Sequence, residues 1–333
     1  MRRFSFLRRL SAFILGAVFL VSGLFKVMDP TGSSLVMESY LNFLHLGFLK
    51  GLSDGFSLIF NLLECFVGVS LISGIWVRVL RNITLGLLGI FTFLTLLLLI
   101  FNPEMDCGCF GEVIHLTHLQ SFVKNLVLLA LWALAFLPYA TSYPRPLYRK
   151  VLSGISYAMI IAFTIYSYAN LPLLDLTNLS TGHEIEEGDI SLVDGDGEYV
   201  DSHLLKGKVA FISVYNPSKV SAEQIASART LARKAGMRTV LAVNGTLPFE
   251  ESNAYLADRR TLMSINRANP GVTFISGGQI AQKWTMREFL SLDEDSLRAL
   301  TSTDPSELII DESLDGKRKF EIFALVFFVI LLV

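Results

Sequence analysis

Long apolar stretches fill the first half of the chain and give way, near residue 175, to short alternating segments. Leu10 to Met28, Phe56 to Val77, Val79 to Phe101, Leu119 to Tyr139 and Val151 to Leu171 each come close to or exceed the ~20 residues a helix needs to cross a ~30 Å hydrocarbon core. They predict an all-α transmembrane bundle of four to five helices over residues 1–174. From Gly182 to Gly316 the pattern becomes that of a soluble α/β domain. Ile190 to Val193 and Tyr199 to Val200 flank the turn Asp194-Gly195-Asp196-Gly197, and Val209 to Val214 reads as a buried strand. Ser221 to Ala235 carries Ile225, Ala228, Leu231 and Ala232 at helical spacing, and Thr239 to Val243 is a second buried strand, which makes a βαβ unit.

The last apolar run, Phe320 to Val333, would be about 21 Å long as a helix, short of a full crossing. It reads as a truncated sixth span. The alternative is a buried strand or helix of the soluble domain, because Lys317, Arg318 and Lys319 would otherwise stand on the side disfavoured for basic residues.

Composition strengthens the membrane reading. Hydrophobic residues make up 52% and charged residues 17% of the 333 positions, with a mean hydropathy of +0.52, too apolar for a water-soluble chain of this length. The net charge of -2 gives no basic field, so no nucleic-acid partner is expected; membrane lipid is. The distribution of basic residues sets an orientation. Arg2, Arg3, Arg8 and Arg9, then Arg78 and Arg81, then Arg145, Arg149 and Lys150 fall on one side of the predicted spans, which is therefore expected to be cytoplasmic. No small-residue cleavage pattern follows the first stretch, so it is expected to be a retained span. Asn102 to His118, which has no Lys or Arg, and the soluble domain then share the opposite side. In a bacterium with two membranes these features describe an inner-membrane protein with its amino terminus in the cytoplasm and its soluble domain in the periplasm.

Three cysteines are too few for a disulfide scaffold, but Cys107 and Cys109 stand one glycine apart in that external loop. Two thiols so close can close a small ring, and a strained, exposed bridge is labile and exchangeable. The flanking glycines allow the tight turn this needs. The bland alternative is a reduced pair, or a staple with no exchange role. His115 and His118 follow, giving four formal metal ligands, but structural zinc sites favour wider cysteine spacing, so no metal is expected. Glu64 lies inside the second span, where an ionisable group is expensive unless it faces the bundle interior. It is a candidate for proton transfer or, alternatively, a structural partner of Lys26 or Lys124. Its neighbour Cys65 reads as buried packing.

The segments Gly23-Leu24-Phe25-Lys26-Val27-Met28-Asp29-Pro30, Glu64, Cys107-Gly108-Cys109-Phe110-Gly111 and Lys124-Asn125-Leu126 resemble, in order and spacing, the DoxX-like, MauE-type redox-associated membrane proteins over roughly residues 10–140. The resemblance implies disulfide formation or electron transfer during maturation of a periplasmic protein, with the redox role falling on Cys107 and Cys109. It adds Lys26 and Asp29 as partner-facing or structural positions. Quinone as the electron acceptor follows by analogy alone, and a second membrane cysteine pair that would relay electrons to it is missing.

Residues 184–316 resemble a thioredoxin fold. The strand Val209 to Val214 leads toward Asn269-Pro270-Gly271-Val272-Thr273-Phe274-Ile275, where Pro270 takes the place of the family's cis-proline, and the turn Ser276-Gly277-Gly278-Gln279 follows. Where the active-site Cys-x-x-Cys would fall, this chain has Tyr215-Asn216-Pro217-Ser218. Without a thiolate the domain has no nucleophile for exchange, so Tyr215, Ser218 and Pro270 are expected to be partner-facing or structural. Two functions remain. In one, the chain is a thiol-disulfide oxidoreductase component working through Cys107 and Cys109 on a periplasmic or envelope protein. In the other, it is a non-enzymatic scaffold that anchors a thioredoxin-like binding module to an envelope assembly.

Overall fold

A computed structural model describes residues 2–103, 105, 107–109, 116–137, 146–175, 177–200, 202–251 and 253–332. The chain divides into two compact units, Met1–Ala169 with Ile322–Val333, and Asn170–Glu321.

The first unit is helical: α1 (Arg2–Met28), α2 (Pro30–Phe43), α3 (Ser53–Ser73), α4 (Val77–Phe101), α5 (His118–Phe136) and α6 (Leu147–Ala169). Five helical stretches are long and apolar enough to cross a membrane, Phe6–Met28, Gly47–Ser73, Val77–Phe101, His118–Phe136 and Leu147–Ala169. The closest packing is between α1 and α3. A Cβ on Gly23 would fall 2.6 Å from Cys65 Sγ, and one on Gly68 the same distance from the Leu20 nitrogen. Bare glycines at those crossings let the backbones approach, the usual device where lipid gives no hydrophobic drive for helix association. Leu15, Phe19, Val67 and Leu71 extend this contact to Leu87 and Leu88 of α4 and to Leu128, Ala135 and Phe136 of α5. The outer faces of α4, α5 and α6 expose Phe93, Ile100, Val127 and Ile165, a surface suited to hydrocarbon and costly in water.

Helix α2 is absent from the expected elements, because fourteen residues are too few for a span and give no membrane signal. Its start is nevertheless written locally. Asp29 caps it, accepting a hydrogen bond from the Gly32 amide at 2.9 Å, and Pro30 occupies the first turn.

The carboxy-terminal run differs from its expected boundaries. Phe320 does not begin a separate segment: one continuous helix, α10 (Pro305–Leu332), runs through the charged stretch before it. Asp315 and Lys319 are one turn apart and pair at 2.5 Å, which lets that polar stretch stay helical. From Ile322 onward the helix belongs to the first unit, where Phe323 stacks on Phe163 of α6 at 4.2 Å and Phe327 is fully buried.

The second unit is a seven-stranded mixed sheet with helices on both faces. Its strands are β1 (Leu192–Val193), β2 (Tyr199–Val200), β3 (Lys208–Val214), β4 (Arg238–Val243), β5 (Ala254–Leu256), β6 (Gly271–Ser276) and β7 (Gln279–Thr285), in the order β2-β1-β5-β4-β3-β6-β7. Central β3 pairs parallel to β4, with Ile212 opposite Leu241, and antiparallel to β6, with Ile212 opposite Val272. Its side chains alternate. Ala210, Ile212 and Val214 face a core with Ile225 and Ala228 of α7 (Ala222–Lys234) and Phe289 of α9 (Met286–Ser291), while Val209 and Phe211 face Leu262 and Ile265 of α8 (Arg259–Ile265). Burial on both faces is why the strand reads as an unbroken apolar run. Helix α7 is fixed at its start by a capping box in which Ser221 and Gln224 bond each other's backbone amides. The parallel β3-α7-β4 unit, the antiparallel β6-β7 hairpin and the cis Asn269–Pro270 peptide give a thioredoxin-like α/β fold.

Candidate functional site

Five helices and one loop of the first unit line a cavity of about 170 Å³, Lys124 being the contribution of α5. Ser22 and Lys26 enter it from α1, Val36, Met37 and Tyr40 from α2, Asn61 and Glu64 from α3, and Phe91 and Leu94 from α4. The segment Cys107 to Cys109 closes one side. Helical spacing explains the groupings, since Ser22 and Lys26 are four residues apart and Asn61 and Glu64 three, so each pair shares a face.

Glu64 is 1% exposed, and both its oxygens are engaged. Lys26 Nζ lies 2.6 Å from Oε1, and the Ser22 hydroxyl is 2.7 Å from Oε2. Lys26, one of the two partners weighed for Glu64, is in contact with it. A buried carboxylate held by an ammonium and a hydroxyl meets the requirement that an intramembrane charge be paired. The Lys26 ammonium also stands 5.6 Å from the centroid of the Phe91 ring, where the face of the π-system attracts a cation. Asn61 supports the wall behind, its amide donating to Ser33 Oγ at 2.9 Å. Asp29 caps α2.

The cysteine segment is held by its carbonyls. Tyr40 donates to the Cys107 oxygen at 2.8 Å, and the Ser22 hydroxyl lies 2.6 Å from the Cys109 oxygen. Burial first, and then the neighbouring Cys109 and Cys107 sulfurs, push the Tyr40 phenol far above its usual range, so it remains a donor. Gly108 has φ +59°, the left-handed region, and a Cβ there would run into the Val36 side chain. Only glycine satisfies both conditions at no cost. Cys107 is buried with its thiol toward the Leu116 oxygen at 3.7 Å, Cys109 is half-buried, and both carry their sulfur as a thiol. Cys65 is fully buried against Gly23 and takes no part in the cavity wall.

His118 does not line this cavity. His118 places its ring nitrogens against Asn102 Oδ1 at 3.1 Å and the Met105 oxygen at 3.0 Å. His115 lies outside the described residues. Among the described residues no group of three or more His, Cys, Asp or Glu is arranged to hold a metal ion.

In the second unit, Tyr215, Ser218 and Pro270 gather at the end of β3. Tyr215 donates to the Arg267 oxygen at 3.0 Å, and Ser218 to the Asn216 side chain at 2.7 Å. Asn269, next to Pro270, accepts from the Asn216 amide at 2.8 Å and donates to the Asn216 oxygen at 2.9 Å. The two loops are thus closed on each other through the side chain of Asn269. Sequence reasoning did not single out Ser22, Tyr40, Asn216 or Asn269. Their types are common and their roles depend on distant partners.

Residues 4–138 match the family model described as methylamine utilisation protein MauE. The similarity to that family thus falls on the amino-terminal bundle. Protein TlpB of Flavobacterium psychrophilum is 26% identical over 205 residues, which cover 59% of this chain and 52% of that protein. The chain therefore spans about half the length of this relative. No solved structure matches the chain significantly. With five crossing-competent helices, the chain is a membrane protein.

Proposed function

We propose that the protein is a membrane component of thiol-disulfide exchange, in which Cys107 and Cys109 cycle between dithiol and disulfide with a protein partner on the external side of the membrane. The observation that carries this reading is the position of Cys107 and Cys109 on the wall of a cavity that also holds the buried Lys26–Glu64 pair. A loop serving only as a staple has no need of an ionised pair at membrane depth beside it. When a partner's disulfide or dithiol exchanges with this pair, each step is attack of a thiolate on a disulfide sulfur through a mixed disulfide. The second unit lacks a thiol at the corresponding place, with Tyr215 and Ser218 there instead, so its proposed role is to bind or dock the partner.

Differential alkylation of the full chain tests the reading. In glutathione buffers of graded ratio, a working pair shifts progressively between labelled and unlabelled forms, whereas the scaffold alternative gives a pair insensitive to the buffer. The orientation we propose, with the amino terminus in the cytoplasm and the loop and soluble unit in the periplasm, rests on the arginine-rich alternate loops. A membrane-impermeant maleimide should label the reduced pair from the periplasmic side; labelling only after the inner membrane is breached would reverse it.

A further inference from the structure

The cavity beside the cysteine pair has an unusual division of its walls. Met37, Leu44, Phe91 and Leu94 make most of it apolar, while Lys26, Glu64, Lys124, Cys107 and Cys109 are also in its lining, and Ser22 links Glu64 to the Cys109 carbonyl. Ile90 also lines it and is 46% exposed on α4, so the cavity reaches the outer, hydrocarbon-suited surface of the bundle. About 170 Å³ is below the roughly 300–1,000 Å³ of pockets that enclose drug-sized molecules, which leaves room for a single substituted ring whose tail passes out beside Ile90.

We infer that this cavity binds the ring of a lipid-soluble quinone and that the quinone is the electron acceptor for the Cys107–Cys109 dithiol. The inference rests on the exchange reading above for the source of the electrons. Three features select this class of ligand. Closing a dithiol to a disulfide releases two electrons and two protons together, so the acceptor in the cavity must take both. A cavity reached through an apolar surface selects an acceptor that partitions into lipid. The Lys26 ammonium has three donor hydrogens, of which the Glu64 carboxylate does not use all, so it can donate to a ring carbonyl while its charge stays balanced. In the reaction both S–H bonds break, the S–S bond forms, two electrons enter the ring, and the two protons end on its two oxygens. One dithiol and one quinone thus give one disulfide and one hydroquinone, with no further oxidant.

The test uses the full chain in lipid nanodiscs and a photoreactive benzoquinone with a decyl tail. Expected is labelling around Met37 or Leu94 that decylubiquinone competes away and decanol does not, both in the native chain and in the Cys107→Ser/Cys109→Ser variant. Leu94→Trp, which fills the cavity, should weaken labelling by about tenfold or more, and Lys26→Met should do so through the lost donor. Mixed anaerobically with decylubiquinone, the reduced native chain should yield hydroquinone and disulfide in equal amounts, and the double serine variant neither. If decanol competes as well as decylubiquinone, the cavity is an acyl-chain groove and the inference falls. If no competed label is found while the thiols still equilibrate with glutathione, the quinone site is wrong and exchange stands. If the double serine variant is labelled but the native thiols are not oxidised by quinone, the acceptor role is overturned.

Discussion

The hydroxyl of Ser22 lies 2.6 Å from the carbonyl oxygen of Cys109 and 2.7 Å from the carboxylate of Glu64, so one side chain on α1 ties the cysteine loop to the buried charge on α3. A hydroxyl has one proton to donate, and donation to either oxygen leaves the other to its remaining partners. The position of the Cys109 carbonyl is therefore tied to that of the Glu64 side chain. Ser22→Ala and Tyr40→Phe each remove a donor from the loop. Losing about 1 kcal/mol of anchoring should speed alkylation of the Cys109 thiol by about fivefold. Quench-flow alkylation checks this, and rates unchanged in both variants would mean the loop is held by other contacts.

Gly108 should tolerate no side chain. Alanine there meets both the Val36 side chain and a left-handed backbone, a combined penalty of about 1–3 kcal/mol. Gly108→Ala should displace the loop and raise alkylation of Cys107, which is buried. Val36→Ala in the same chain should return only the part of the effect due to the clash. Full recovery in the double variant would show that backbone conformation has no share.

The Lys26–Glu64 pair gives an asymmetric expectation. Removing one partner leaves a buried charge unpaired and should destabilise the bundle by about 3–5 kcal/mol, whereas replacing both by methionine should cost far less. Thermal unfolding of Glu64→Gln, Lys26→Met and the Lys26→Met/Glu64→Met chain in detergent measures this directly. Equal losses in all three would place the two groups outside each other's reach.

Much of this arrangement was written in local pattern, and the remainder was not. The five spans follow from uninterrupted apolar length, β3 and β4 from short apolar runs, and α7 from its capping box and its apolar face at Ile225 and Ala228. Asp29-Pro30 carried the signature of a helix start, yet α2 went unread because its fourteen residues combine Gly32, three serines and few apolar positions without a clear period. Ser22 and Tyr40 could not be found from sequence because their partners are 87 and 67 residues away. Strand β5 is three residues long and takes its identity from pairing with β4 and β1, a tertiary effect with little local signal.

In the second unit, the Asn216–Asn269 pairing should decide whether the degenerate site can be opened. Asn269→Ala removes both hydrogen bonds between the loops and should destabilise that region by about 1–3 kcal/mol, read as faster hydrogen exchange in peptides covering 214–220 of the full chain. The double substitution Tyr215→Cys/Ser218→Cys should oxidise readily if these positions flank a helix entry as in the thioredoxin fold, while the native domain should show no insulin-reducing activity. Failure of the introduced pair to form a disulfide under mild oxidant would count against that placement.

Acid should weaken one turn before the rest of the second unit. Asp189 accepts from His183 at 2.7 Å and from the Glu186 amide at 2.9 Å, and these bonds, the one from His183 foremost, hold its carboxyl below the usual carboxylate range. A depressed folded value means that the contribution is complete above the unfolded value of about 3.9 and is lost as pH falls through the folded one. Asp189→Asn should therefore lower resistance to proteolysis near residues 183–190 at pH 7 and converge with the native chain in strong acid. A constant difference across that range would remove Asp189 as the cause.

Exchange of Cys107 and Cys109 with a partner is open to trapping by single substitutions. Cys107→Ser and Cys109→Ser each leave one thiol able to attack and none to resolve the product, so a mixed disulfide with a partner should accumulate. In cells expressing each full-length variant, acid-quenched and separated without reductant, the account predicts a reducible higher-mass adduct in at least one single variant. It predicts none in the Cys107→Ser/Cys109→Ser chain, and no loss of the adduct when His118→Ala is added. Absence of any adduct from both single variants, with the function of the chain in the cell unchanged, would contradict the account and leave the bundle as an anchor for its soluble unit.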